Sequence, residues 1–129
     1  MGAVCVQWLN SSHHHIIFFQ LDPKFTVDDY RMAVKDAWQL LDAKPVDRFY
    51  VAADVSEIHS IPTQMITTMF KEYGKTHPSF GGLTILIGAP VYMQRLVKQF
   101  QSIFHTSNFG FADQVCDLDA VIAQHVQHH

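Results

Sequence analysis

The sequence predicts a single α/β domain built on a mostly parallel sheet. Three observations predict it. Apolar runs of strand length alternate with amphipathic stretches at helical spacing. Two of those runs, residues 49–55 and 83–88, are apolar almost throughout, as parallel strands covered on both faces must be. The 129 residues contain 48% hydrophobic and 16% charged side chains, with no Gly/Ser or Pro linker, which suits one core over residues 1–129.

The elements follow in chain order. Residues 4–9 form a short first strand. After the Asn10-Ser11-Ser12 turn, residues 13–21, rich in Ile and Phe, form a longer one. The close connection makes an antiparallel hairpin of the two, with the N-terminal strand at a sheet edge. The first helix has the clearest start. Thr26 is its N-cap and Asp29 stands three residues on, a capping box with Asp in place of Glu. Val27, Tyr30, Val34, Ala37, Trp38 and Leu41 then fall on one face, which predicts Trp38 buried against the sheet. Lys44 and Pro45 close the helix.

The central strand ends at Asp54. Pro62 opens a second helix with Met65, Ile66, Met69, Phe70 and Tyr73 on one face, and Gly74 ends it. Leu83 to Gly88 is the next strand. Pro90 starts a third helix with Met93, Leu96, Val97, Phe100 and Phe104 inward. A short last strand spans residues 109–112. Asp117 caps a final helix carrying Leu118, Val121, Ile122 and Val126. The expected architecture is therefore a mixed, mostly parallel sheet of four to five strands packed by about four helices. Ligand-facing loops in such folds lie beyond the carboxyl ends of the strands, here residues 54–61 and 88–90.

Composition excludes several classes of function. The net charge of −3 gives no basic field to hold a nucleic-acid backbone. The apolar stretches are far too short to span a bilayer. Met1 to Trp8 has neither a basic region nor a long apolar run, so the chain reads as cytoplasmic, without a signal peptide. Cys5 and Cys116 have no paired spacing and read as free thiols.

The same order of elements, with these residues, resembles the STAS family, the bacterial anti-sigma-factor antagonists and their relatives. Phe49-Tyr50-Val51-Ala52-Ala53-Asp54-Val55-Ser56 is similar to the family's central strand ending in Asp-aliphatic-Ser. Leu83-Thr84-Ile85-Leu86-Ile87-Gly88 is similar to its next strand. Phe111-Ala112-Asp113 and the helix after it are similar to its closing elements. The likeness is greatest to divergent, stand-alone bacterial members. It implies a non-catalytic regulatory module that docks a protein partner, a kinase or another regulator, or a small anion, through the loop after the central strand. In the antagonists a Ser in an Asp-Ser-Ser/Thr-Gly stretch is phosphorylated. Here that stretch falls on Pro62-Thr63-Gln64-Met65, and Thr63 is the hydroxyl in register.

Asp54, Ser56, Ser60 and Thr63 therefore form the expected binding loop, with Thr63 and Ser60 as candidate phosphoacceptors. A helix N-terminus there would present amide hydrogens to an anion. Plain capping by Ser60 and local bonds from Asp54 or Ser56 explain the same residue types. Nine histidines raise a metal site, with His13 and His15 on one strand face and His125, His128 and His129 at helical spacing. Neither group has a Cys, Asp or Glu in sequence to complete a ligand set, so no metal and no cofactor is expected. Cys116 precedes the final helix, where a thiol can be activated, but no base accompanies it and a buried inert cysteine is the commoner case. No nucleophile elbow or phosphate loop occurs. A homodimer is a further expectation, through surplus aromatics or through the apolar stretch Ile16 to Phe19 read as an exposed edge. The competing functional class is a small-molecule or enzymatic site over residues 88–90.

Overall fold

A computed structural model describes residues 4–9, 14–58, 78–104 and 108–127. Among them, five strands and three α-helices form one α/β unit. The strands are β1 (Val4–Leu9), β2 (Ile16–Leu21), β3 (Phe49–Asp54), β4 (Phe80–Ile87) and β5 (Asn108–Ala112). The helices are α1 (Val27–Ala43), α2 (Val91–Phe104) and α3 (Leu118–Gln127), the last preceded by a 3₁₀ turn at Val115–Asp117. The helix expected from Pro62 lies outside the described residues.

The sheet runs β1-β2-β3-β4-β5 in space as in sequence. β1 pairs antiparallel with β2, and β2 through β5 are parallel. Strands laid down in one direction need right-handed crossovers, and these keep their helices on one face. Accordingly Ala33, Ala37 and Leu41 of α1 and Met93 and Val97 of α2 share a core with Ile17, Phe19, Ala53 and Leu86. The helix α3 follows the last strand and crosses over to nothing, so it is free to take the opposite face. There Leu118 and Ile122 pack with Ile16, Phe18, Tyr50, Ala52 and Ile85. Val121 lies over Gly110, where an added Cβ would come within 2.8 Å of its Cγ1.

The capping box that starts α1 is complete. The Thr26 hydroxyl accepts from the Asp29 amide at 3.1 Å, and the Asp29 carboxylate accepts from the Thr26 amide at 2.9 Å. Asp28 and Asp29 also lie at the positive end of the helix dipole. Thr26→Ala removes one of the two bonds and should lower stability by about 1 kcal/mol. An unchanged urea midpoint would show that the cap contributes nothing.

Three expectations need correction. Trp38 is not buried but 40% exposed. The sheet-facing line of α1 is Ala33, Ala37 and Leu41, one residue round from Val34 and Trp38. Small side chains let the helix backbone approach β1, on which α1 chiefly packs, and that closeness turns the indole outward. Second, Ile16 to Phe19 is not an edge. It is paired on both sides, by β1 and by β3, and Ile16 and Ile17 are both fully buried. Third, Cys116 is exposed in the 3₁₀ turn, with its thiol 3.4 Å from the Gln114 carboxamide oxygen. Smaller differences concern bounds. β2 begins at Ile16 rather than at residue 13, and β4 begins earlier, at Phe80. Val126, expected inward, is exposed.

Candidate functional site

The carboxyl ends of β3, β4 and β5 are level, and backbone bonds beyond the strands hold them so. The Val55 amide donates to the Ile87 carbonyl at 3.1 Å, and the Gly88 amide donates to the Ala112 carbonyl at 2.8 Å. Two loops leave this rim side by side. One starts at Asp54, the other at Gly88.

The first loop is stiff as far as the structure describes it. The Asp54 Oδ1 accepts from both the Ser56 amide, at 3.0 Å, and the Ser56 hydroxyl, at 2.6 Å. This is the local turn that an Asp two residues before a Ser favours. The Ile58 amide donates to the Val55 carbonyl at 3.0 Å, and the Ile58 side chain is buried. The Tyr92 hydroxyl reaches across from α2 to the Ile58 carbonyl at 3.4 Å, and burial pushes the Tyr92 phenol above its ordinary value, so it stays a neutral donor. Asp54 is half-buried, and Ser56 and Glu57 are exposed.

The second loop fits against the first because Gly88 has no side chain. Its φ is +69°, and an added Cβ would fall 2.7 Å from the Ser56 Cβ. Glycine is needed twice over, for the left-handed turn and for the close approach. Pro90 follows, and its carbonyl accepts from the Met93 and Gln94 amides to begin α2.

Of the four residues expected to form the binding loop, the structure brings Asp54 and Ser56 together. Ser60 and Thr63 lie outside the described residues. The direct link from Asp54 to Ser56 accounts for both residue types as turn formers. It also presents the serine oxygen outward with its proton directed at a carboxylate. Asp-x-Ser spacing is the sequence signal for that arrangement, although the phosphoacceptor expectation fell on Ser60 and Thr63 instead.

Electrostatics narrow what can dock here. The described stretch from Asp54 to Ile58 carries two acids, Asp54 and Glu57, and no cation. A small anion would meet like charge, whereas a surface offering amide, lysine or arginine donors would not.

A second cluster lies at the opposite end of the strands and went unnoticed in the sequence. The His14 Nδ1 is 3.0 Å from the Asp119 carboxylate, tying the entry of β2 to the first turn of α3 across 105 residues. The Tyr50 ring stands edge-on to both His14 and His125, with ring centres 5.9 and 6.3 Å away. No local spacing could signal these partners. Of the expected histidine groups, His15 is edge-on to Trp8 at 6.2 Å, and Lys44 lies 5.5 Å over the same indole. His13, His128 and His129 lie outside the described residues. Among the described residues no three His, Cys, Asp or Glu side chains are grouped to hold a metal ion. Likewise no helix among them is long and apolar enough to cross a membrane.

No protein-family model, curated protein or solved structure matches this chain.

Proposed function

We propose that this chain is a non-catalytic interaction module that docks a protein partner on the loop starting at Asp54. The observation behind it is the rigid display of Asp54 and Ser56 at the carboxyl rim of the parallel strands, braced from behind by Gly88. Ligand sites of parallel α/β sheets gather at this rim. The acidic character of the described loop favours a protein surface rich in donors over a small anion. The resemblance to STAS domains supports the same loop and the same class of partner, a kinase or other regulator, and makes Thr63 and Ser60 its candidate phosphoacceptors.

The competing reading, a catalytic or small-molecule site above Gly88, has less support. The nearest phenol, Tyr92, is engaged with the Ile58 carbonyl. Among the described residues of the two loops, 54–58 and 88–90, there is no histidine or cysteine to act as base or nucleophile.

The test compares captured proteins. The full chain, its Asp54→Asn/Ser56→Ala variant and its Thr63→Glu variant serve as baits in extract of the native host, read by quantitative mass spectrometry. Circular dichroism checks the fold of each. The expected result is one or more partners held by the parent and depleted at least about tenfold by both variants. Asp54→Asn/Ser56→Ala removes a charge and a hydroxyl from the displayed turn, and Thr63→Glu adds a negative charge to the same loop. Equal capture by all three baits would remove this loop as the docking surface.

A further inference from the structure

β1 ends the sheet, and its outer edge can be read residue by residue. The Tyr50 amide on β3 donates to the His15 carbonyl at 2.9 Å. Backbone groups of a strand point alternately to its two neighbours, so odd-numbered residues of β2 face β3 and even-numbered ones face β1. The register pairs Leu9 with Ile16, Gln7 with Phe18 and Cys5 with Gln20. The odd residues of β1 are thus bonded to β2. Val4, Val6 and Trp8 turn their amides and carbonyls outward, to the edge.

Among the described residues this edge has none of the sequence features that usually blunt one. Val-Cys-Val-Gln-Trp-Leu contains no charge, proline or glycine, and its six pairs with β2 run without a bulge. The other edge differs: β5 is five residues long with a central glycine, and Lys98 lies 5.9 Å over its Phe111 ring. The side chains of Val4, Val6 and Trp8 pack into the core under α1, and Cys5 and Gln7 are exposed on the opposite face.

We propose that β1 pairs antiparallel with β1 of a second copy about a two-fold axis through Val6. The outward residues are spaced evenly about Val6, so this register alone engages all three from each copy. Val6 meets Val6, and Val4 meets Trp8 in both directions. Each such pair exchanges two bonds, so the six outward amides all find carbonyls. The two-fold keeps the helix-bearing faces on the same side, as a continuous sheet requires. An uncharged strand meets its own copy without like-charge pairs. Between the bonded pairs, Cys5 of one copy stands opposite Gln7 of the other.

The register supplies the test. Light scattering on the full chain should give twice the 14.7 kDa of one copy. Val6→Pro deletes two of the six bonds at once, and proline is tolerated where a strand amide faces outward. It should raise the dissociation constant by roughly tenfold or more. Should that variant lose its circular dichroism spectrum, Cys5→Lys/Gln7→Lys serves instead. Both positions are exposed, and the pair sets lysine opposite lysine across the axis. Gln7→Cys on a Cys116→Ser background should oxidise to a dimer joined from Cys5 of one copy to position 7 of the other. Positions 5 and 7 of one strand stand parallel on one face with their Cβ atoms about 6.6 Å apart, beyond the roughly 3.5–4.5 Å between Cβ atoms that a disulfide needs, so they do not bridge internally. A monomer at every concentration would overturn the proposal. So would a dimer that survives the edge variants, or cross-linking with any other pairing.

Discussion

Ile85→Ala should destabilise the chain by about 2–5 kcal/mol, toward the upper end of that range. Ile85 is fully buried in the middle of β4, packed with Leu118 and Ile122 of α3. The cost of such a truncation depends on whether neighbours can move into the space. Here they cannot. The residues in register on either side are Ala52 of β3 and Gly110 of β5, and neither has a side chain that can reach. The backbone of a strand paired on both sides cannot collapse to compensate. Domains of this size have only about 5–15 kcal/mol of stability in total, so the variant would lose a large share of it. Urea unfolding followed by circular dichroism measures the difference. A loss below about 1 kcal/mol would mean that α3 does not pack on β4 as described.

How much of this was legible in the sequence depends on what each residue has to meet. β3 and β4 were legible because burial on both faces demands apolar residues without interruption, and few other structures make that demand. The start of α1 was legible because a capping box is local: Thr26 and Asp29 need nothing beyond each other. The face of α1 was misread at Trp38 because periodicity counts a large apolar residue as inward. Contact with the sheet is instead made through Ala33 and Ala37, whose smallness fixes how near the helix comes. Ile16 to Phe19 illustrates a different limit. Its four consecutive apolar residues imply two covered faces, which is the signature of an interior strand, yet β1 was needed alongside to complete the pairing. β1 itself alternates buried or half-buried positions with exposed ones through Gln7, as a strand covered on one face does. At the candidate site, Asp54 and Ser56 were legible as a turn. Gly88 was legible only as a turn residue, because nothing in its surroundings announces that Ser56 will lie against it. The link from His14 to Asp119 joins residues at opposite ends of the sequence and leaves no local trace.

Gly88→Ala should be the most informative change at the rim, because Gly82 provides its control. Both glycines have positive φ, +69° at Gly88 and +82° at Gly82, so alanine at either position bears the strain of a left-handed backbone, about 1–3 kcal/mol. They differ in surroundings. An added Cβ at Gly82 meets nothing within 4 Å, whereas at Gly88 it would fall 2.7 Å from the Ser56 Cβ and 3.2 Å from the Ser56 Cα. Relief requires the Ser56 backbone to move, and that turn is held by two bonds to Asp54 and by the Val55 amide on the Ile87 carbonyl. The overlap should therefore add roughly 1–3 kcal/mol to the loss at Gly88 and nothing at Gly82. Denaturation midpoints of the two variants give the difference directly, with the common strain cancelling. Their effects on docking should separate as well. Displacing Ser56 disturbs the surface on which a partner would rest, so Gly88→Ala should deplete captured partners while Gly82→Ala, in the amino-terminal half of β4, leaves them in place. If both variants lose equal stability, Ser56 is not pressed against Gly88. If Gly88→Ala is the less stable of the two and still holds every partner, the loop is rigid for the sake of the fold alone, and the docking surface lies elsewhere.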